Sequence, residues 1–168
     1  MTCVNAEVAP MAHAAAMPTA TTSRQFTSVA EYLTWDHDEL DAMFADIVPM
    51  VEDAEWERAS EHFDDFRRRL ERHIAIEEEV LFPVFERRVA PHGPTDVMRE
   101  DHRQIKDALA TIGGALQSAD TAAFDRGRAT LIDVLANHNL REERVLYPTV
   151  ERAAADEMPA VLERALSY

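Results

Sequence analysis

The sequence predicts an all-α fold: an up-down-up-down four-helix bundle built from two repeated helical hairpins, with a disordered N-terminal tail. Three observations support this fold class. The 168 residues include only four glycines and are rich in alanine, leucine, glutamate and arginine, which favour helices. Apolar residues recur at alternating steps of three and four, the spacing of one helix face. The second half of the chain repeats the first at a constant offset, which indicates two copies of one hairpin.

The repeat places the same residue types 65 positions apart. Its polar pairs are His37 and His102, His73 and His138, and Glu77 and Glu142. Its other pairs include Leu70 and Leu135, Glu78 and Glu143, Val80 and Val145, Leu81 and Leu146, and Pro83 and Pro148. Each hairpin therefore contributes two imidazoles and one carboxylate in the same order along the chain.

In the first hairpin, one helix is predicted to begin near Ser28, where Ser28 and Glu31 fit a capping box. Pro49 should bend or end this helix, and Asp53 should cap the next one. The inward stripe of the first helix is Leu33, His37, Leu40, Phe44, Ile47 and Val51, and that of the second is Phe63, Phe66, Leu70, His73, Glu77, Val80 or Leu81, and Val84.

The second hairpin follows the break at residues 90–94, which contains two prolines and a glycine. Its first helix should follow Thr95 and weaken at Gly113 and Gly114, and Asp120 or Thr121 should cap its second. The inward stripes are Met98, His102, Ile105, Leu109, Ile112 and Leu116, then Phe124, Leu131, Leu135, His138, Glu142, Val145 and Thr149. Prolines at 83 and 148 should bend the second and fourth helices at the same height. A short C-terminal helix is expected after Met158 and Pro159.

We therefore expect a disordered tail at 1–26, a helical bundle at 27–152 and a short helical tail at 153–168. The net charge of −15 argues against nucleic acid and anionic membranes as partners. No apolar run approaches the roughly 18 residues of a membrane span. The N-terminal segment lacks the basic start and leucine-rich stretch of a secretory signal, so we expect a cytoplasmic protein. Cys3 is the only cysteine, which excludes an internal disulfide and cysteine-based zinc or iron–sulfur sites.

Six polar residues occupy the predicted inward stripes, and they are His37, His73, Glu77, His102, His138 and Glu142. On a helix, the four-residue step from histidine to glutamate puts both groups on one face. Two buried carboxylates without cations would cost on the order of several kcal/mol each, whereas two metal ions would balance them. Nitrogen and carboxylate ligands without thiolate suit iron or manganese, with zinc possible. The alternative is a purely structural set of hydrogen-bonded core residues.

Two histidines and two bridging glutamates would give each metal four protein ligands. Open positions on a redox metal indicate chemistry with dioxygen, peroxide or nitric oxide. One turn from two of the ligands, Asp41 and Lys106 would flank the cavity. Asp36 and Asp101 each precede a ligand histidine, and a one-residue step turns them about 100° away from it.

Four segments occur in this order along the chain: WDHDEL, LERHIAIEEEVLFPVFE, REDHRQI and ANHNLREERVLYP. Through them, residues 28–152 resemble the bacterial His-His-Glu cation-binding branch of the hemerythrin family. The resemblance implies a four-helix bundle with a non-haem di-iron centre bridged by oxide or hydroxide. By this resemblance His37 and His73 would bind one iron, His102 and His138 the other, and Glu77 and Glu142 would bridge them.

The sequence departs from oxygen-carrying hemerythrins at two places. Their fifth histidine is replaced by Lys106, and their spacing of the last carboxylate would select Glu143, whereas the repeat favours Glu142. We therefore expect a protein that binds, senses or reacts with a small oxidant or gas. The alternatives are a di-iron enzyme of the peroxide-disproportionating or iron–sulfur-repair type, and an iron store or iron sensor.

Overall fold

A computed structural model describes residues 24–168 of the chain. Most of the predicted N-terminal tail, including Cys3 and His13, lies outside the described residues. The described part is all-helical and contains no strand, which confirms the predicted all-α class. It forms five helical segments, because two π-helical turns each join a pair of α-helices without a break. The segments are α1 (Val29–Glu52); α2 (Trp56–Ile76), π-turn 1 (Glu77–Leu81) and α3 (Phe82–Arg88); α4 (Pro94–Ser118); α5 (Thr121–Arg141), π-turn 2 (Glu142–Leu146) and α6 (Tyr147–Ala153); and α7 (Met158–Leu166).

The structure repeats along the chain with the same offset as the sequence. Helices α2 and α5, the two π-turns, and helices α3 and α6 begin and end 65 residues apart. The turns between consecutive long helices repeat as well, because Ala54 and Ala119 both adopt the left-handed conformation, with φ of 58° and 53°. This conformation commonly ends a helix and reverses the chain.

Two of the predicted helix caps are present and one is not. Ser28 Oγ accepts the backbone N–H of Glu31 at the start of α1, and the Asp120 carboxylate accepts that of Ala123 at the start of α5. The prediction that Asp53 caps α2 is wrong, because α1 continues three residues past Pro49 and Asp53 ends it by donating its N–H to the Pro49 carbonyl. Helix α2 begins after Glu55 without a side-chain cap.

The π-turns lie immediately before the two helical prolines. Phe82 donates its N–H to the carbonyl of Glu77, and Tyr147 donates to that of Glu142, each five residues back. A proline cannot donate and its ring crowds the carbonyl four residues earlier, so a widened turn ahead of it relieves the conflict. Val145 is 59% exposed and Leu146 is buried, so the predicted inward position of Val145 is wrong.

The helices bury a polar layer between two apolar clusters. Helix α1 packs on α2, α4 on α5, α2 on α4, and α1 on α5 and α6, while α7 lies against α1 and π-turn 1. One apolar cluster is built around Phe44, Phe66 and Ile112, and the other around Leu33, Leu81 and Phe82. No helix within residues 24–168 combines the length and apolarity that a membrane crossing requires.

Candidate metal centre

The structure brings the six predicted ligand residues together in the polar layer. All of them are buried, and Glu77, His102 and Glu142 have no solvent exposure. The two glutamates begin the two π-turns, one turn after a histidine at the end of α2 or α5. Glu142, and not its neighbour Glu143, points into this centre.

The ligand atoms fall into two groups that share both glutamates. The first half-site contains His37 and His73, and the second contains His102 and His138. Within each group the nitrogen and oxygen atoms lie within 4.8 Å of one another. One oxygen of Glu77 lies 3.5 Å from His73 Nε2 and the other lies 3.3 Å from His102 Nε2. Glu142 likewise directs one oxygen to each half-site, 3.4 Å from His37 Nε2 and 3.2 Å from His138 Nε2. Each carboxylate therefore spans both halves.

Four further carboxylates contact the outer nitrogens of the histidines. Glu143 lies 2.8 Å from His37 Nδ1, and Glu78 lies 2.7 Å from His102 Nδ1. The other two pairs are Asp36 with His73 Nδ1 at 2.9 Å and Asp101 with His138 Nδ1 at 3.4 Å. These partners obey the same 65-residue repeat as the histidines.

The role of Asp36 and Asp101 corrects the sequence interpretation. A one-residue step does turn each side chain away from its own neighbouring histidine, but it turns it toward the adjacent helix. There the carboxylate of Asp36 is hydrogen-bonded to His73 and Arg69, and the carboxylate of Asp101 is hydrogen-bonded to His138 and Arg141. The sequence signal was present, because Asp36 and Asp101 are themselves a repeat pair.

Each outer carboxylate determines which nitrogen of its imidazole directs a lone pair into the centre. A neutral histidine that donates from Nδ1 to a carboxylate presents an unprotonated Nε2. In the second half-site, Nε2 of His102 lies only 3.2 Å from Nε2 of His138. Two lone pairs at this distance repel each other unless a proton or a metal ion lies between them.

The buried histidines and glutamates shift one another's pKa values. Burial alone would lower the pKa of His73, but the negative charge of Glu77 and the hydrogen bond to Asp36 raise this pKa to about 10. Burial also acts to lower the pKa of His138, but the charge of Glu142 and its hydrogen bond raise this pKa to about 9. Burial acts to raise the pKa of Glu77, yet His73 and His102 hold it well below its usual range.

Three ligand atoms lack hydrogen-bond partners among the described residues. They are His73 Nε2, Glu77 Oε2 and Glu142 Oε1, all buried and all directed into the two groups. Buried polar atoms normally have a partner, because leaving one unpaired costs about 1–3 kcal/mol. A cation in each half-site would satisfy these atoms, and imidazole nitrogens with carboxylate oxygens are suitable donors for iron, manganese or zinc. The residues present therefore fit a two-metal site.

Tyr147, for which the sequence allowed either a place near the centre or simple core packing, reaches the centre. Tyr147 Oη lies 2.5 Å from Glu77 Oε1 and 3.1 Å from Glu142 Oε2 and donates a hydrogen bond to them. Burial, together with the charges of Glu142 and Glu77, raises the pKa of Tyr147 well above its usual range. Phe82 stands at the equivalent position of the first repeat.

A cavity of about 10 Å³ adjoins the histidines and has a largely apolar lining that includes Leu40, Ile74 and Ile105. This is room for about one water molecule. Asp41, Leu135 and Asn139 line both this cavity and a larger groove of about 420 Å³ between α1 and α5.

The predicted flanking pair, Asp41 and Lys106, is separated in the structure. Asp41 borders the small cavity, whereas Lys106 lines a different groove between α2 and α4, so the expectation for Lys106 is wrong. His62 and His92 are exposed and lie outside both ligand groups.

The helical architecture and the paired clusters define a protein with a buried histidine–carboxylate centre suited to metal cations. Residues 28–150 match the hemerythrin HHE cation binding domain, and because this is well over half of the sequence, the chain belongs to that family. Comparisons with curated proteins and with solved structures returned no significant match.

Proposed function

We propose that the chain is a non-haem di-iron protein that binds, senses or reacts with dioxygen, peroxide or nitric oxide. The fold we propose around the irons is an up-down-up-down four-helix bundle followed by the C-terminal helix α7. Each half-site would hold one iron through its two histidines, and both glutamates would bridge the irons. The proposed ligands are His37, His73, Glu77, His102, His138 and Glu142.

The observation that carries the proposal is the sharing of Glu77 and Glu142 between two buried groups of nitrogen and oxygen atoms. A single metal would not need a second pair of histidines, and a structural hydrogen-bond network would not leave three of the ligand atoms without partners among the described residues. Iron bound there would supply open coordination positions and electrons for a small ligand. Manganese and zinc are the alternatives, and metal analysis distinguishes them.

The protein's own residues prepare the centre for such a ligand. The outer carboxylates hold the imidazoles with Nε2 directed inward, and the apolar clusters on both sides exclude bulk water. The size of the cavity beside His37, His73 and His138 favours a ligand of two or three atoms over an organic substrate. The groove shared at Asp41 and Asn139 would be its route from the surface.

Metal analysis of the purified protein tests the proposal. We expect two irons per chain and an optical spectrum that differs between anaerobic, oxygenated and nitric-oxide-treated samples. Alanine replacements of the six ligands, one at a time, should each lower the iron content. His62→Ala and His92→Ala are the matched controls and should leave it at two. A colourless protein that takes up no transition metal and unfolds at the same temperature with and without chelator would refute the proposal.

The same samples distinguish the possible uses of the irons. A reversible spectral change with dioxygen or nitric oxide indicates binding or sensing, whereas steady consumption of added peroxide indicates an enzyme. Loss of helix order on iron removal, with no response to any of these ligands, would instead indicate an iron sensor. A cytoplasmic location stays a prediction from the N-terminal composition.

A further inference from the structure

The two half-sites differ in the aromatic residue that the repeat places at the start of the helix after each π-turn. Tyr147 begins α6 directly after π-turn 2, and Phe82 begins α3 directly after π-turn 1. Both rings are buried and both face the histidine–carboxylate centre. The first half-site is therefore in contact with the hydroxyl group of Tyr147, whereas the second half-site is in contact with the apolar ring of Phe82.

The phenol oxygen lies among the donor atoms of the first half-site. Tyr147 Oη is 2.5 Å from Glu77 Oε1, 3.1 Å from Glu142 Oε2 and 3.5 Å from His37 Nε2. These are the very oxygens that the two glutamates direct to the first half-site. Donors that bind one metal at about 2.1 Å in adjacent positions lie about 3.0 Å apart, so the separations from Glu142 and His37 are close to those of neighbouring ligands of a single ion, and the shorter contact with Glu77 would lengthen slightly.

Phe82 offers no such donor to the second half-site. Its ring stacks on His102 with a centroid separation of 5.7 Å and an interplanar angle of 7°. The Arg99 guanidinium lies 5.3 Å from the centre of the Phe82 ring. The second half-site therefore has its two histidines and its share of the two glutamates as protein donors, and an aromatic ring packed against one of them.

We propose that Tyr147 Oη is a fifth protein ligand of the metal held by His37 and His73, so that the two metals are inequivalent. This inference rests on the proposed two-metal centre. On binding, the phenol oxygen bonds to the metal and its hydroxyl proton passes to solvent, so no oxidant or reductant is required. The first metal then has one position fewer for outside ligands than the second. The apolar residues that line the small cavity, such as Leu40, belong to the cluster around Phe44, whereas Tyr147 belongs to the other cluster. Tyr147 therefore does not block the cavity.

Resonance Raman and visible spectra of the iron(III)-loaded protein test this ligand directly. We expect a tyrosinate-to-iron charge-transfer band whose enhanced ring vibrations shift when the protein is grown on ring-deuterated tyrosine. In Tyr147→Phe the band should disappear while the iron content stays at two per chain. Tyr32→Phe is the control, because Tyr32 is equally buried but its hydroxyl binds Arg72 outside the centre.

The isotope experiment uses the unaltered protein, so it decides the question even if Tyr147→Phe folds poorly. Two bound irons without enhanced tyrosine vibrations would overturn the assignment and leave the di-iron proposal standing. Persistence of the band in Tyr147→Phe would overturn it equally. Failure to bind iron at all would overturn both proposals.

Discussion

Replacing a carboxylate behind a ligand histidine should weaken the half of the centre to which that histidine belongs. Glu143→Gln removes the charge that faces His37 Nδ1 in the first half-site, and Glu78→Gln does the same for His102 in the second. Glutamine keeps the shape and can still accept a hydrogen bond, so the change isolates the contribution of the negative charge. That charge makes the imidazole a better electron donor and holds its Nε2 toward the metal.

The magnitude depends on how far water screens each carboxylate. Loss of such an outer partner typically costs about 10–100-fold in metal affinity, or about 1.4–2.7 kcal/mol. The side chains of Glu78 and Glu143 are 29% and 36% exposed, so we expect the lower end, about tenfold. Asp36 is 1% exposed and faces His73, so Asp36→Asn should approach about 100-fold.

Competition titrations against a chromophoric chelator measure these affinities. Each single variant should weaken one of the two binding events, and the Glu78→Gln/Glu143→Gln double variant should weaken both. Glu61→Gln, an exposed change on α2, is the control. Thermal melts of the metal-free variants separate affinity from folding. If Asp36→Asn bound metal as tightly as the Glu61→Gln control, the histidine–carboxylate pairs would not tune the site.

Three further predictions concern stability. Chelation should lower the melting temperature, since free metal at 100 times its dissociation constant stabilises the fold by about 2.7 kcal/mol per site. In the metal-free protein the pKa of His73 is raised to about 10 and that of His138 to about 9. Their stabilisation should therefore be complete below about pH 6.5 and decline as the pH rises through 9 to 10, and urea unfolding that is unchanged over this range would contradict the assignment. Gly127→Ala would place its Cβ 2.8 Å from Ile112 and should destabilise the protein by about 1–3 kcal/mol, whereas Gly114→Ala meets nothing within 4 Å and should stabilise it by about 0.5–1 kcal/mol, as measured by chemical denaturation.

The helices and the central residues could be predicted because both follow from spacing along a helix. A histidine that interrupts an apolar stripe, as His37 does between Leu33 and Leu40, must lie in the core once the stripe packs. The repeat then places His102 at the same depth in the second hairpin. Gly113 and Gly114 were expected to weaken α4, but the helix runs on to Ser118 because buried neighbours such as Ile112 and Leu116 hold it by packing.

The outer partners of the histidines were missed because they act between helices. The contact of Asp36 with His73 depends on how α1 meets α2, which the spacing within one helix does not specify. The exposure of Val145 was missed for a different reason: its repeat partner Val80 is buried in the apolar cluster that α7 joins, and the repeat does not show that α7 packs on π-turn 1. Pro83 and Pro148 were expected to bend the second and fourth helices, and in the structure a π-turn precedes each proline. A bend changes the direction of a helix, whereas a π-turn changes which face the following residues occupy.

Duplication explains why the two half-sites are alike, and the positions where the repeats diverge determine how they differ. Among the positions where the repeats differ, Tyr147 corresponds to Phe82, Asp41 to Lys106 and Asn139 to Ile74. Asp41 and Asn139 border the small cavity, so the only polar part of its lining besides the histidines comes from α1 and α5. A centre with identical halves would bind a ligand equally at either metal. In the proposed two-metal centre, the difference between Tyr147 and Phe82 would make one metal differ from the other without changing the shared glutamates.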